Sequence, residues 1–155
     1  MRRRCRGFTL LELMIVMVLA GVLLGMVTFA VGANPGRIAR QDAEAIVRLV
    51  QQLRDRAVLE GVEYGVRLSI DGYRAVRLAG QDWQPVSRLY AWPAELRLRL
   101  EQEGQFMSLD ADQGPAQLLA LSSDETSEFS LTFFIQGKTV LRLSSDGIGQ
   151  VVLDE

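Results

Sequence analysis

The chain has no histidine, a single cysteine, a single lysine (Lys138) and four prolines in 155 residues. Without histidine, the commonest general base and the commonest metal ligand are missing, so a Ser-His-Asp triad and a Cys-His pair are both excluded. The lone Cys5 lies ahead of the first apolar run, which leaves no internal disulfide and no thiol chemistry for the rest of the chain. No phosphate-cradling glycine loop occurs. Asp110-Ala111-Asp112-Gln113-Gly114 faintly resembles a calcium loop, but Pro115 stands where the required glycine belongs, and no acid follows at the twelfth position. That segment is expected to be a solvated turn, and no cofactor or metal is expected anywhere.

What is present is organised by one stretch. Arg2, Arg3, Arg4 and Arg6 precede Gly7, and Phe8 opens an apolar run that reaches Val31 with one strongly polar residue in it, Glu12. These 24 residues would span roughly 36 Å as a helix, enough to cross a bilayer. The arginines would hold the N-terminal end in the cytoplasm and send everything beyond the run outward. A membrane anchor has no use for Glu12. A carboxylate at membrane depth costs about 2.5 kcal/mol or more, so it is retained where it has a partner and a role.

The octet Arg6-Gly7-Phe8-Thr9-Leu10-Leu11-Glu12-Leu13 resembles the processing signal of type IV pilins and pseudopilins, matching at Gly7, Phe8, Thr9, Leu10, Glu12 and Leu13. The resemblance implies cleavage between Gly7 and Phe8 by a prepilin peptidase, N-methylation of Phe8, and an assembly role for Glu12. Two rival sites for ordinary signal peptidase, Val18-Leu19-Ala20 and Val31-Gly32-Ala33, satisfy the small-residue rule, and the second would release a periplasmic binding module. Against them, the run is longer than the usual signal core and Glu12 interrupts it.

Asn34-Pro35-Gly36 is a breaker cluster, so a helix break is expected at Pro35. From Arg37 to Glu60, Ile38, Ile46, Leu49, Val50, Leu53 and Ala57 fall on one helical face, with Arg48, Gln52, Asp55 and Arg56 opposite; Gly61 is the expected stop. From Val62 the pattern changes to period two. The expected strands lie in Val62–Ile70, Tyr73–Leu78, Arg88–Trp92, Glu95–Glu101, Phe106–Leu109, Gln117–Leu121, Phe129–Ile135, Thr139–Leu143 and Gly149–Leu153. Hairpin signals stand at Asp71-Gly72, Gln136-Gly137 and Asp146-Gly147. Gly80–Pro85, carrying Trp83, reads as a loop; Trp83, Tyr90 and Trp92 suit partner contact as well as sheet packing, and packing is the preferred reading.

The expected architecture is therefore α+β and pilin-like: a long N-terminal helix, transmembrane then amphipathic, on a C-terminal antiparallel domain of about eight strands in two sheets. The expected division is a leader at 1–7, a membrane or filament-core helix at 8–31, an amphipathic helix at 32–61 and a periplasmic β domain at 62–155. Of 17 basic residues four lie in the leader, so 13 would face 19 acids and the processed chain would carry −6. That acidity argues against nucleic acid as a partner.

The compact strand-rich domain and the closing Asp146-Gly147-Ile148-Gly149-Gln150-Val151-Val152-Leu153 resemble the minor pseudopilin H family of type II secretion. The resemblance implies a non-enzymatic subunit, single-pass in the inner membrane with its domain in the periplasm. It would work with other major and minor pseudopilins, the prepilin peptidase and N-methyltransferase, and the inner-membrane secretion platform. A minor pilin of a type IV pilus, serving pilus assembly or DNA uptake, is the alternative reading.

Overall fold

A computed structural model describes residues 10–30, 35–110 and 112–154, with side chains described over 10–22 and again from 36. It divides into two units, Met1–Asn34 and Pro35–Glu155.

The first unit holds helix α1, Leu10–Ala30. Every described side chain from Leu10 to Val22 is exposed, including Leu10, Met17 and Val18. A helix that is apolar all round is stable only when something covers it. Counted over the described residues, no helix is long and apolar enough to cross a membrane.

The second unit opens with helix α2, Pro35–Glu60. The buried stripe of α2 is Ala39, Ala43, Ile46, Val50, Leu53 and Ala57, while Arg48, Gln52, Asp55 and Arg56 face solvent. Two alanines that a hydrophobicity count passes over thus belong to the core, and Ile38 and Leu49 sit at its margin, only half-buried. The helix ends where Gly61 takes a φ of 64°, and the Gly61 and Val62 amides both donate to the Ala57 carbonyl.

Ten strands follow among the described residues, where about eight were expected. They are β1 Tyr64–Leu68, β2 Gly72–Ala79, β3 Asp82–Pro85, β4 Tyr90–Ala91, β5 Leu96–Gln102, β6 Gln105–Met107, β7 Leu118–Ala120, β8 Glu128–Ile135, β9 Lys138–Asp146 and β10 Val152–Asp154. The first sheet runs β3-β2-β1-β7, with β4 also paired to β2; the second runs β10-β9-β8-β5-β6, and every pairing is antiparallel. The α+β, two-sheet architecture is the one the sequence implies. One helix and two sheets share a single core, with Ile46 and Leu53 of α2 meeting Val66, Leu118, Leu131, Phe133 and Leu143.

Two local expectations need correction. Gly80–Pro85 is not a loop: Asp82–Pro85 is β3, pairing Trp83 with Leu78 across a tight turn at Gly80, whose φ is 68°. Asp110, Gln113 and Gly114 are exposed as expected of a solvated turn, but Asp112 is not free in solvent. The following chain lies over the outer face of the first sheet, so close that a Cβ on Gly65 would stand 2.5 Å from the Ala116 Cβ and 2.7 Å from the Leu118 carbonyl oxygen. It carries Asp112 into an ion cluster with Arg67 and Arg74.

Candidate assembly site

Gly7 and Phe8 lie outside the described residues. Glu12 occupies the first turn of α1 and is exposed there. Along the described part of α1 its neighbours Leu11, Leu13, Ile15 and Val16 are exposed aliphatics, which makes Glu12 the one charge on an uncovered apolar cylinder. Pro35 opens α2, downstream of residues 31–34, which are not described.

In the second unit the three aromatics are placed unequally. Trp92 packs at 4.8 Å from Tyr73 and its indole N–H donates to the Ser69 carbonyl at 2.8 Å; Tyr90 stacks on Tyr73 at 5.3 Å. Trp83 lies over the outer face beside Arg67, whose Nη2 donates to the Trp83 carbonyl at 3.2 Å. Tyr73 and Tyr90 border a cleft of about 220 Å³ with Arg48 and Gln52 of α2. Burial first, and then the nearby Asp42 charge, raises the Tyr73 pKa above the ordinary tyrosine value, so its hydroxyl stays neutral.

The ion cluster of Arg67, Arg74 and Asp112 escaped the sequence reading. Its only signal was a pair of arginines at positions that a strand hairpin brings opposite each other. Among the described residues no cluster of three or more Cys, Asp or Glu side chains could hold a metal.

The family model for the prokaryotic N-terminal methylation motif matches residues 2–28. Over the whole length, type II secretion system protein H of Pseudomonas aeruginosa is 39% identical across 160 residues, covering 94% of this chain and 93% of that protein. The chain belongs to the type II secretion system protein H family. Protein H of Aeromonas hydrophila matches at 27% identity over 157 residues, 90% of this chain and 86% of that one. Two solved structures share the fold. The minor pseudopilin EpsH of the Vibrio cholerae type 2 secretion system has a TM-score of 0.64 at 24% identity, over 76% of this chain and 95% of its own. The Escherichia coli GspH solution structure has 0.63 at 22%, over 78% and 90%.

As a protein H, the chain is a minor pseudopilin of type II secretion, a membrane-anchored periplasmic protein that assembles with other pseudopilins. These relatives favour neither the type IV pilus reading nor a module released by ordinary signal peptidase.

Proposed function

We propose that this minor pseudopilin is a structural, non-catalytic subunit whose chemistry is confined to processing and assembly at its N-terminus. Prepilin peptidase cuts between Gly7 and Phe8 and the Phe8 amine is methylated. The helix from Phe8 to Val31 then crosses the inner membrane once, with its cytoplasmic end marked by the leader arginines and the domain from 62 to 155 in the periplasm. The same apolar surface serves as anchor before assembly and as filament core afterwards.

The observation that carries this reading is Glu12, the single charge in the described part of an otherwise apolar helix. After cleavage the Phe8 amine is a cation one helical turn from Glu12. In a bundle of parallel, staggered helices, Glu12 of one subunit meets the amine of the next, and each charge satisfies the other where an unpaired one would be heavily penalised. A break in the helix ahead of Pro35 lets the globular domain reorient as the helix leaves the membrane, and the inner-membrane secretion platform drives that extraction.

Glu12→Ala tests the role of the acid. The variant is expected to be cleaved and membrane-inserted normally, yet to fail to co-purify with the other pseudopilins. Normal incorporation would remove the proposed pairing. Deleting the gene is expected to abolish exoprotein secretion while leaving twitching motility and transformation intact.

A further inference from the structure

Strand β5 is paired over nearly its whole length on one side and only partly on the other. Toward β8 it pairs from Leu96 to Glu101; toward β6 it pairs only at Leu100, Glu101 and Gln102. After Met107 the chain leaves the sheet, and the Ile70 amide receives it by donating to the Asp110 carbonyl at 3.1 Å. Leu96–Arg99 is thus left as an open edge, four residues or about 13 Å long.

The backbone direction along this edge follows from two hairpins. Gln102 and Gln105 flank the two-residue turn at Glu103-Gly104 and so exchange hydrogen bonds; two and four residues earlier, Leu100 and Leu98 turn their backbone groups to that same side. Ile135 and Lys138 likewise flank Gln136-Gly137, which turns Phe134 toward Arg97 and leaves Leu96 and Leu98 facing away from β8. The outward Leu96 amide donates to the Pro93 carbonyl and its carbonyl accepts from Arg97 Nη1 at 3.1 Å. The outward N–H and C=O of Leu98 have no such partner among the described residues. They open onto a groove of about 450 Å³ between the sheets, walled by Ile70, Leu98, Met107 and Leu109. Ile70 is 72% and Met107 44% exposed, although both are apolar.

We propose that this edge accepts an extended segment of a partner chain as an added strand, and that the segment alternates apolar and acidic residues. Strand addition takes affinity from backbone bonds and specificity from alternate side chains. Side chains of the new strand on the inner face lie beside Leu96 and Leu98, over Ile70 and Met107, which selects apolar groups. Those on the outer face lie beside the exposed Arg97 and Arg99, which selects carboxylates. Arg99 is already held in position, its guanidinium 5.3 Å from the Phe106 ring and 5.0 Å from the Phe134 ring. Arg97 need only exchange the Leu96 and Ala94 carbonyls for an incoming acid. This edge is a property of the domain's fold and does not depend on the leader or on Glu12.

The test titrates the full chain in detergent with a synthetic Val-Glu-Val-Glu-Val-Glu peptide and, separately, with Val-Lys-Val-Lys-Val-Lys, following backbone amide exchange. The acidic peptide is expected to slow exchange at Leu98 about tenfold when present at about ten times its Kd, while the basic peptide does not. The double variant Arg97→Glu/Arg99→Glu, at two exposed positions and checked for unchanged protection of the β8–β9 amides, is expected to reverse that preference. An unchanged Leu98 amide at millimolar acidic peptide would overturn the proposal. So would equal response to both peptides, protection confined to another edge, or saturation of the edge by a second copy of the chain.

Discussion

Arg67 and Arg74 stand directly opposite each other on neighbouring strands, and their like charges are bridged by Asp112 from the segment that crosses the same sheet face. Arg74 approaches one carboxylate oxygen at 2.5 Å and Arg67 the other at 3.7 Å, with the Arg67 side chain only 6% exposed. Opposed like charges destabilise a strand pair, so the carboxylate is what makes this register tolerable.

Removing that carboxylate should therefore be costly. Asp112→Asn leaves two arginines facing each other with little water, and breaking such a pair typically costs about 3 kcal/mol. Denaturant unfolding of the full chain in detergent is expected to show the loss. Adding Arg67→Met to Asp112→Asn should recover part of it, because the stranded charge is gone. A double variant no more stable than the single one would count against the bridge.

Arg54 joins the helix to two loops at once. Its Nε donates to Asp124 at 2.6 Å, and its Nη atoms donate to the Gly149 and Ile148 carbonyls at 3.2 Å each. The Asp124 and Ile148 bonds are exposed, so each is worth only about 0.5 kcal/mol, and a lysine cannot reproduce the fork. Both Arg54→Ala and Arg54→Lys are expected to speed amide exchange in 122–125 and 147–149 together, leaving the β8–β9 ladder protected. Acceleration in only one loop would show that the side chain does not couple them.

The turn after β9 supplies a pH signature. Asp146 accepts from the Gly149 amide at 2.7 Å and the Ile148 amide at 3.1 Å, and these bonds, Gly149 first, hold its pKa below the ordinary aspartate value. A depressed folded-state pKa contributes stability that is present above the unfolded value, about 3.9, and is lost as pH falls through the folded one. Asp146→Asn should therefore flatten the acid limb of the unfolding midpoint below about pH 4 and change little near neutrality. An unaltered acid limb would assign it to other carboxylates.

Much of this molecule is legible in its residues because the governing signals are local. Gly7, Phe8 and Glu12 form a dense motif; the spacing of Ile46, Val50, Leu53 and Ala57 marks one helix face; Gln136-Gly137 and Asp71-Gly72 mark turns that do form. The failures share a cause. Trp83 read as loop because β3 is only four residues long and owes its pairing to β2, a relationship no local pattern carries. Asp112 read as solvated because its partners lie roughly forty residues away in the chain and meet it only through the fold. Ala39 and Ala43 fall in step with Ile46, Val50, Leu53 and Ala57, so the spacing of the residues carries that part of the core as well.

The mass of the mature protein, isolated from membranes that contain the prepilin peptidase, tests the central claim most directly. The expected product begins at Phe8, lacks the seven leader residues and carries one added methyl group on its amine. A mature chain beginning at Asn34 would contradict the claim because it has lost both Phe8 and Glu12, and one still carrying the leader under those conditions would contradict it because Phe8 has no free amine for Glu12 to meet.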